Sequence, residues 1–410
     1  MRGLGRRWTA LMAFLAVAGP GIITAAVDND ANGIATYSTA GAQFGYALLW
    51  TLPLAAVALV VVQEMTARMG SVTGLGLADL IREQFGVRVT TAIMAVLVVA
   101  NWANTIGNFA GVAGSLEIFR LPRLVGIPVV AAVVALLVLR GGYRLIERVF
   151  LGASALYVLY AISAVLARPD WSAVSRAAVV PTVRLDREYL YLLIALIGTT
   201  IAPWMQFYQQ AAVVDKGLTA GDLRLERADT ALGALVTALV AGSIIVATAA
   251  TLHPAGIVVA RAEDAARALA PLAGIYASAL FAVGLLNAAV FSVAIIPLST
   301  AYSVCEAFGW EAGLDRSPRQ APVFYGLFLA VLITSALAVL WPGLPLIPVM
   351  VFSQALNGVL LPAVLVAMLR LVNDRRLLGE HVNGSVANAI AGTVTAALVV
   401  LTLALLVWSL

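Results

Sequence analysis

Residues 18–36 read Ala18-Gly-Pro-Gly-Ile-Ile-Thr-Ala-Ala-Val-Asp-Asn-Asp-Ala-Asn-Gly-Ile-Ala-Thr36. They fall in the middle of the first long apolar stretch of the chain, roughly 9–40. Asp, Asn and Gly are poor helix formers, and five such residues lie within Asp28–Gly33. A helix entering this stretch is therefore expected to break there and leave two half-helices around an unwound joint. Charges at bilayer depth are costly and mark function by default. A broken backbone is tolerated at that depth only where it is buried in protein or lines a wet cavity. Freed carbonyls beside a carboxylate make an oxygen-rich cage, the environment a hard cation prefers.

The rest of the chain explains why this stretch counts as membrane. Of 410 residues, 62% are hydrophobic and 11% charged, where a soluble domain carries about a quarter charged residues. Apolar runs of about 20 residues recur throughout, as transmembrane helices require. Short stretches of alternating polarity, the mark of a β-barrel, do not occur. The expected architecture is an all-α polytopic bundle with eleven spans: roughly 9–40, 45–68, 89–117, 121–140, 146–167, 189–213, 230–253, 273–301, 322–341, 346–370 and 386–409. The whole chain, 1–410, reads as one transmembrane domain. Arg2, Arg6 and Arg7 before an apolar run have the form of a signal peptide, but that run leads straight into the polar joint and is read as a span. With the N-terminus inside, the cytoplasmic loops receive 17 of the 25 Lys and Arg residues. The basic bias sets orientation, so the N-terminus is expected in the cytoplasm and the C-terminus outside. The lone Cys305 excludes an internal disulfide framework.

A second interruption falls in the sixth span, Gly198-Thr-Thr-Ile-Ala-Pro-Trp-Met-Gln-Phe-Tyr-Gln-Gln210. Pro203 has no N–H and frees carbonyls about one turn earlier. Breaks in the first and sixth spans lie five helices apart, the spacing of two inverted five-helix repeats. Their expected limits are about 9–167 and 189–370, with an extra helix at about 386–409. The site then forms where the two broken helices meet.

These residues resemble the natural resistance-associated macrophage protein (NRAMP) metal transporters, over most of the chain. Gly19-Pro-Gly, Asp30, Ile34-Ala-Thr and Ala40-Gly-Ala-Gln-Phe-Gly-Tyr are similar to the family's first helix. Gln63-Glu-Met-Thr-Ala-Arg-Met-Gly-Ser-Val-Thr-Gly is similar to the end of its second. Ser353-Gln354, Leu361-Pro362 and Asn373-Asp-Arg-Arg-Leu-Leu-Gly-Glu are similar to its tenth helix and the segment after it. The resemblance implies a LeuT-type fold with broken helices 1 and 6, alternating access and a divalent-metal substrate.

The departures from the family pattern are as informative. Where the family has Asp-Pro-Gly-Asn, this chain has Asp30-Ala31-Asn32-Gly33. Asp30 carries over as the primary metal ligand, Asn32 substitutes for the displaced Asn, and Asp28 contributes directly or through water. Where the family has Met-Pro-His, this chain has Ala202-Pro203-Trp204. Loss of the thioether removes the donor that favours softer metals. The remaining donors are oxygens: Asp30, Asp28, Asn32, the amide of Gln354, and carbonyls near Val27 and Thr199. Such a set suits Mg²⁺, which dehydrates reluctantly, and also admits Mn²⁺. The acidic residues of the family's proton route are replaced by Asn101 and Asn104, and its histidine by Trp204. Amides and indole do not titrate at useful pH, so weak or absent proton coupling is expected.

Together these changes resemble the NRAMP-related magnesium transporters of bacterial inner membranes. The alternative is the ordinary proton-coupled Mn²⁺/Fe²⁺ symporter. A phosphate loop and a His-Glu-x-x-His motif are missing from the sequence, so no enzyme is expected. Nor is a resident cofactor, a nucleic-acid partner or an obligatory protein partner; the expected partners are the metal ion and the lipid bilayer.

Overall fold

A computed structural model describes residues 20–140 and 154–409. They are helical, with no strand among the described residues. The first polar stretch makes two helices, α1 (Pro20–Asp28) and α2 (Ala31–Phe44). Next come α3 (Thr51–Thr73), α4 (Leu77–Ile118), α5 (Arg123–Leu139), α6 (Val158–Leu166) and the short α7 (Trp171–Val179). The sixth span is again two helices, α8 (Arg187–Thr200) and α9 (Pro203–Asp215). The chain continues through α10 (Leu223–Thr251), α11 (Ala277–Phe308), α12 (Pro322–Val339), α13 (Leu346–Val372) and α14 (Ser385–Ser409).

Eight segments among the described residues are long and apolar enough to cross a membrane, and α5 is a shorter apolar helix. The start of the first expected span and of the fifth, 146–167, lies outside the described residues. The span expected at 89–117 is the longer part of α4, whose first turns are set off by Gly86 at φ 76°. Only glycine takes that backbone without strain, so the helix axis changes direction there. Helix ends follow local chemistry. Asp186 accepts from Tyr189 N–H at the start of α8, and Gly74 and Gly309 close α3 and α11 in the left-handed conformation.

The interior is built on α4, α11 and α13, with α8 packed along α13. Glycines let these helices approach closely, the usual device where hydrophobicity alone cannot draw apolar helices together. A Cβ at Gly198 would lie 2.2 Å from Gln354 O and 2.3 Å from Gly358 N, so α8 and α13 touch through backbone. A Cβ at Gly107 would lie 2.2 Å from Asn32 Oδ1. That contact seats the start of α2 against α4. The two broken elements are tied together by Tyr37 on α2, whose hydroxyl lies 3.2 Å from Thr200 Oγ1.

Candidate metal site

The two breaks fall at Asn29–Asp30 and at Ile201–Ala202, and each one frees a carbonyl. In a continuous helix the N–H of Ala31 would close on Val27 O, four residues back. Here it donates to Asn108 Oδ1 on α4 at 3.2 Å. In the second break the corresponding donor would belong to residue 203, and Pro203 has none. Thr199 O is left without its helical partner. The proline is the first residue of α9 and not a kink inside one helix, because its fixed φ suits an N-terminal position. The C-terminal ends of α1 and α8, where a helix presents unpaired carbonyls, thus face each other at the joint.

Between them lies a pocket of about 140 Å³ lined by Val27, Asp28, Asp30, Asn104, Thr199, Ala202, Trp204 and Gln354. Six of the seven residues expected as metal ligands or ligand positions are therefore brought together. No lining residue carries sulfur or a positive charge. Among the described residues, no three His, Cys, Asp or Glu side chains gather to hold a metal elsewhere. The pocket's donors are two carboxylates and neutral oxygens.

The two carboxylates are equally buried, each 3% exposed, and differently engaged. Asp30 is the N-cap of α2, its Oδ1 accepting from Gly33 N at 2.6 Å. Its Oδ2 accepts from Asn108 Nδ2 at 2.7 Å and from Asn32 Nδ2 at 3.1 Å. Asp28, the last residue of α1, has no hydrogen-bond partner on either oxygen. A buried carboxylate without hydrogen bonds is strongly disfavoured unless it is protonated or paired with a cation.

Asn32 stands outside the pocket lining. Its amide reaches Asp30 and also Asn104 Oδ1 at 2.5 Å and Asn104 O at 3.0 Å. It braces Asp30 against α4, while its own Oδ1 is buried without a partner. The side-chain oxygen of Asn104 also accepts from Asn108 Nδ2 at 3.2 Å and from Gln354 Nε2 at 3.4 Å. Three donors converge on that one oxygen, leaving it little to offer an ion. Asn101 is buried one turn away and donates to Thr300 Oγ1 at 2.9 Å. Trp204 is buried, and its carbonyl accepts from Ser299 Oγ at 3.0 Å. Gln354 Oε1 accepts from Asn357 Nδ2 at 2.9 Å, which points the amide without using both lone pairs. Gly33 admits the close approach of the second joint, since a Cβ there would sit 3.0 Å from Thr199 Oγ1.

Asn108 is a site residue that sequence reasoning missed. The signal was present: Asn101, Asn104 and Asn108 recur at three- and four-residue intervals, one face of a helix, in an otherwise apolar segment.

Two discontinuous helices meeting at a buried polar pocket define a carrier of the broken-helix, LeuT-like class. Solved structures share the architecture. A manganese transporter from Eremococcus coleocola superposes with a TM-score of 0.75 at 20% identity, covering 96% of this chain and 86% of its own. Mhp1, a nucleobase-cation-symport-1 family transporter in a closed conformation, superposes with a TM-score of 0.61 at 16% identity, covering 95% and 91%. The family profile described as "Natural resistance-associated macrophage protein-like" matches residues 21–408, and the chain belongs to that family. A divalent metal cation transporter, MntH, from Ralstonia nicotianae is 31% identical over 94% of this chain and 88% of its own. The family, the MntH relative and the Eremococcus coleocola protein are metal transporters, not enzymes.

Proposed function

We propose that this chain carries a divalent metal ion, Mg²⁺ and also Mn²⁺, into the cytoplasm, driven by the membrane potential with weak or no proton coupling. The observation that carries the reading is the buried Asp28 carboxylate, which has no hydrogen-bond partner in an all-oxygen pocket between two helix C-termini. A dication answers both features. It matches two carboxylates in charge, and the carbonyl ends of α1 and α8 complete an oxygen shell. The absence of sulfur at Ala202 favours hard ions over soft ones.

The coupling part rests on Asn101, Asn104 and Trp204. Amides bonded to Thr300 and to Asn32, Asn108 and Gln354 hold fixed hydrogen bonds and carry no titratable proton. Inward movement of a dication gains about 4.6 kcal/mol per 100 mV, twice the single-charge value, so no co-ion is needed. The pocket is too narrow for a water molecule in this conformation. A partly hydrated ion enters only when the helices around it part, as alternating access requires. In this reading the chain has eleven spans, an N-terminus in the cytoplasm and a C-terminus outside a bacterial inner membrane. The two five-helix repeats, 9–167 and 189–370, place one broken helix each at the site.

The second reading is a proton-coupled Mn²⁺/Fe²⁺ symporter; its manganese part is favoured by the likeness to a manganese transporter. Reconstitution in liposomes with an inside-negative potential and an internal pH dye separates the two. Mg²⁺ and Mn²⁺ are expected to enter without acidification. Entry of Mn²⁺ alone, accompanied by acidification, would return the chain to the proton-coupled class.

A further inference from the structure

The N-terminal end of α10 carries a second pair of acids, away from the two joints. Glu226 lies in the first turn of that helix, and Asp229 follows about one turn later. Both are fully buried, at 0% exposure. An acid in a first helical turn ordinarily faces water or accepts from the helix's open N–H groups. Glu226 does neither, and neither of its oxygens has a hydrogen-bond partner. We propose that Glu226, Asp229 and the side-chain oxygen of Gln209 form a second divalent-cation site, at the cytoplasmic mouth, which takes the ion after it leaves the central pocket. This rests on the reading of the chain as a divalent-metal carrier.

Residues 226, 229 and 230 share one face of α10 by their spacing. Gln209 on α9 is fixed to that face, its Nε2 donating to Thr230 Oγ1 at 3.2 Å. With the nitrogen used in this way, Gln209 Oε1 is buried without a donor. Two carboxylates and an amide oxygen, drawn from two helices, are ligand types that a hard dication takes. The charge agrees. The groups that act on Glu226 are Asp229, Lys216 and Asp222. With Glu226 they make three carboxylates and one ammonium, two net negative charges that one dication balances. Arg227 is turned elsewhere, to Glu64 on α3 at 2.8 Å.

Amides mark the way from the pocket to this face. α9 starts at Pro203, beside the pocket, and Gln206 and Gln209 follow at about one-turn steps on one side of it. Gln206 Oε1 has no donor, and neither side-chain polar atom of Gln63 on α3 has a partner; both residues are at 0% exposure. Gln209 lies about 10 Å along α9 from Ala202, at 1.5 Å per residue. Neutral oxygens along such a path offer a hard ion a succession of ligands in place of its hydration water. Lys216, Arg224 and Arg227 put this end of the path on the cytoplasmic side by the basic bias. Two acids and an amide hold an ion less firmly than three acidic ligands would, and weak holding suits an ion that has to leave.

Asp229 has a second duty. Its Oδ2 accepts from Gly21 N at 2.7 Å, near the start of α1, where a Cβ on Gly233 would lie 2.8 Å from Gly21 O. Replacing Asp229 would disturb the seat of α1, so Glu226 is the residue to test.

The experiment counts Mn²⁺ bound to the full chain in detergent by electron paramagnetic resonance and follows Mn²⁺ uptake into liposomes. Wild type is expected to bind two equivalents, the second about tenfold or more weaker than the first. E226Q keeps the length of the side chain and removes a buried charge, so its metal-free melting temperature is expected to be equal or higher. It is expected to lose the weak equivalent and keep the tight one. Its maximal uptake rate is expected to fall about threefold or more, with half-saturating external Mn²⁺ within about twofold of wild type. D30N, at the central pocket, is expected to lose the tight equivalent and keep the weak one.

A weak equivalent that persists in E226Q, or a wild type with one equivalent that only D30N removes, would overturn the inner site and leave the central pocket standing. Unchanged uptake by E226Q would take Glu226 off the route of the ion, and a lower metal-free melting temperature would make it a structural partner of Lys216 instead. Loss of the weak equivalent in E226Q, with D30N like wild type, would support the inner site and fault the central one. A wild-type chain that binds no Mn²⁺ would overturn both.

Discussion

The two joints solve one problem with different chemistry. At Ile201–Ala202 the helix stops because Pro203 cannot donate, and the next helix starts on a residue with no side-chain cap. Nothing charged stands there. At Asn29–Asp30 the helix stops because Asp30 caps a new one, and a net of amides from Asn32 and Asn108 holds the cap. The second joint contributes carbonyl oxygen and shape. The first contributes the same plus charge, and needs a scaffold on α4 to keep that charge placed. A cation site assembled this way concentrates its charge at one joint and shares its carbonyl oxygens between the two.

Substitutions can break or sharpen that contrast. The largest effect is expected at the charged joint. D28N should lower Mg²⁺ and Mn²⁺ uptake into liposomes about 100-fold, the upper range for losing one anionic group at a metal centre; uptake within about threefold of wild type would show that the charge is not concentrated there.

At the uncharged joint the expected damage is structural. G198A drives a Cβ into Gln354 O and Gly358 N, at 2.2 and 2.3 Å, and backbone atoms cannot rotate away. It should destabilise the chain by about 1–3 kcal/mol, read as a fall in melting temperature without metal. An unchanged melting temperature would mean that α8 and α13 are not in backbone contact.

A202M returns a thioether to the rim of the same joint. It should raise the preference for Mn²⁺ or Cd²⁺ over Mg²⁺ by about tenfold in competition uptake, because sulfur binds the softer ions better. No change in the ratio would place Ala202 outside the reach of the ion.

The smallest effect belongs to a pairing remote from both joints. Glu64 on α3 bridges Arg68 at 2.9 Å and Arg227 on α10 at 2.8 Å. Arg227 is more than half exposed, so R227Q, which leaves the Glu64–Arg68 pair in place, should cost at most about 1 kcal/mol and less in high salt. A loss of transport comparable with D28N would instead make this bridge part of the transport cycle.

Much of this was legible in the sequence, for reasons that are local. Residues 28–33 are rich in poor helix formers, and Pro203 lacks a donor wherever it is put, so both breaks and the grouping of Asp28, Asp30, Val27, Thr199, Ala202 and Gln354 could be anticipated. What could not be read was set by partners from distant segments. The hydrogen bond that holds Asp30 against α4 comes from Asn108, 78 positions away. Asn32 is expected as a ligand by type and position; α4 passes close enough at Gly107 for Asn104 to hold its Nδ2, a contact no local pattern reveals, while its Oδ1 keeps no hydrogen-bond partner. The redirection of α4 at Gly86 rests on a single positive φ that a long apolar periodicity conceals.

The most direct test is the position of the ion itself. Crystals of the protein grown with Mn²⁺ would yield an anomalous-scattering peak. That peak is expected between the ends of α1 and α8, within about 2.5 Å of a carboxylate oxygen of Asp30 or Asp28 and near the carbonyls of Val27 and Thr199. A peak outside this pocket, or none at saturating Mn²⁺, would contradict the reading of the two joints as one cation site.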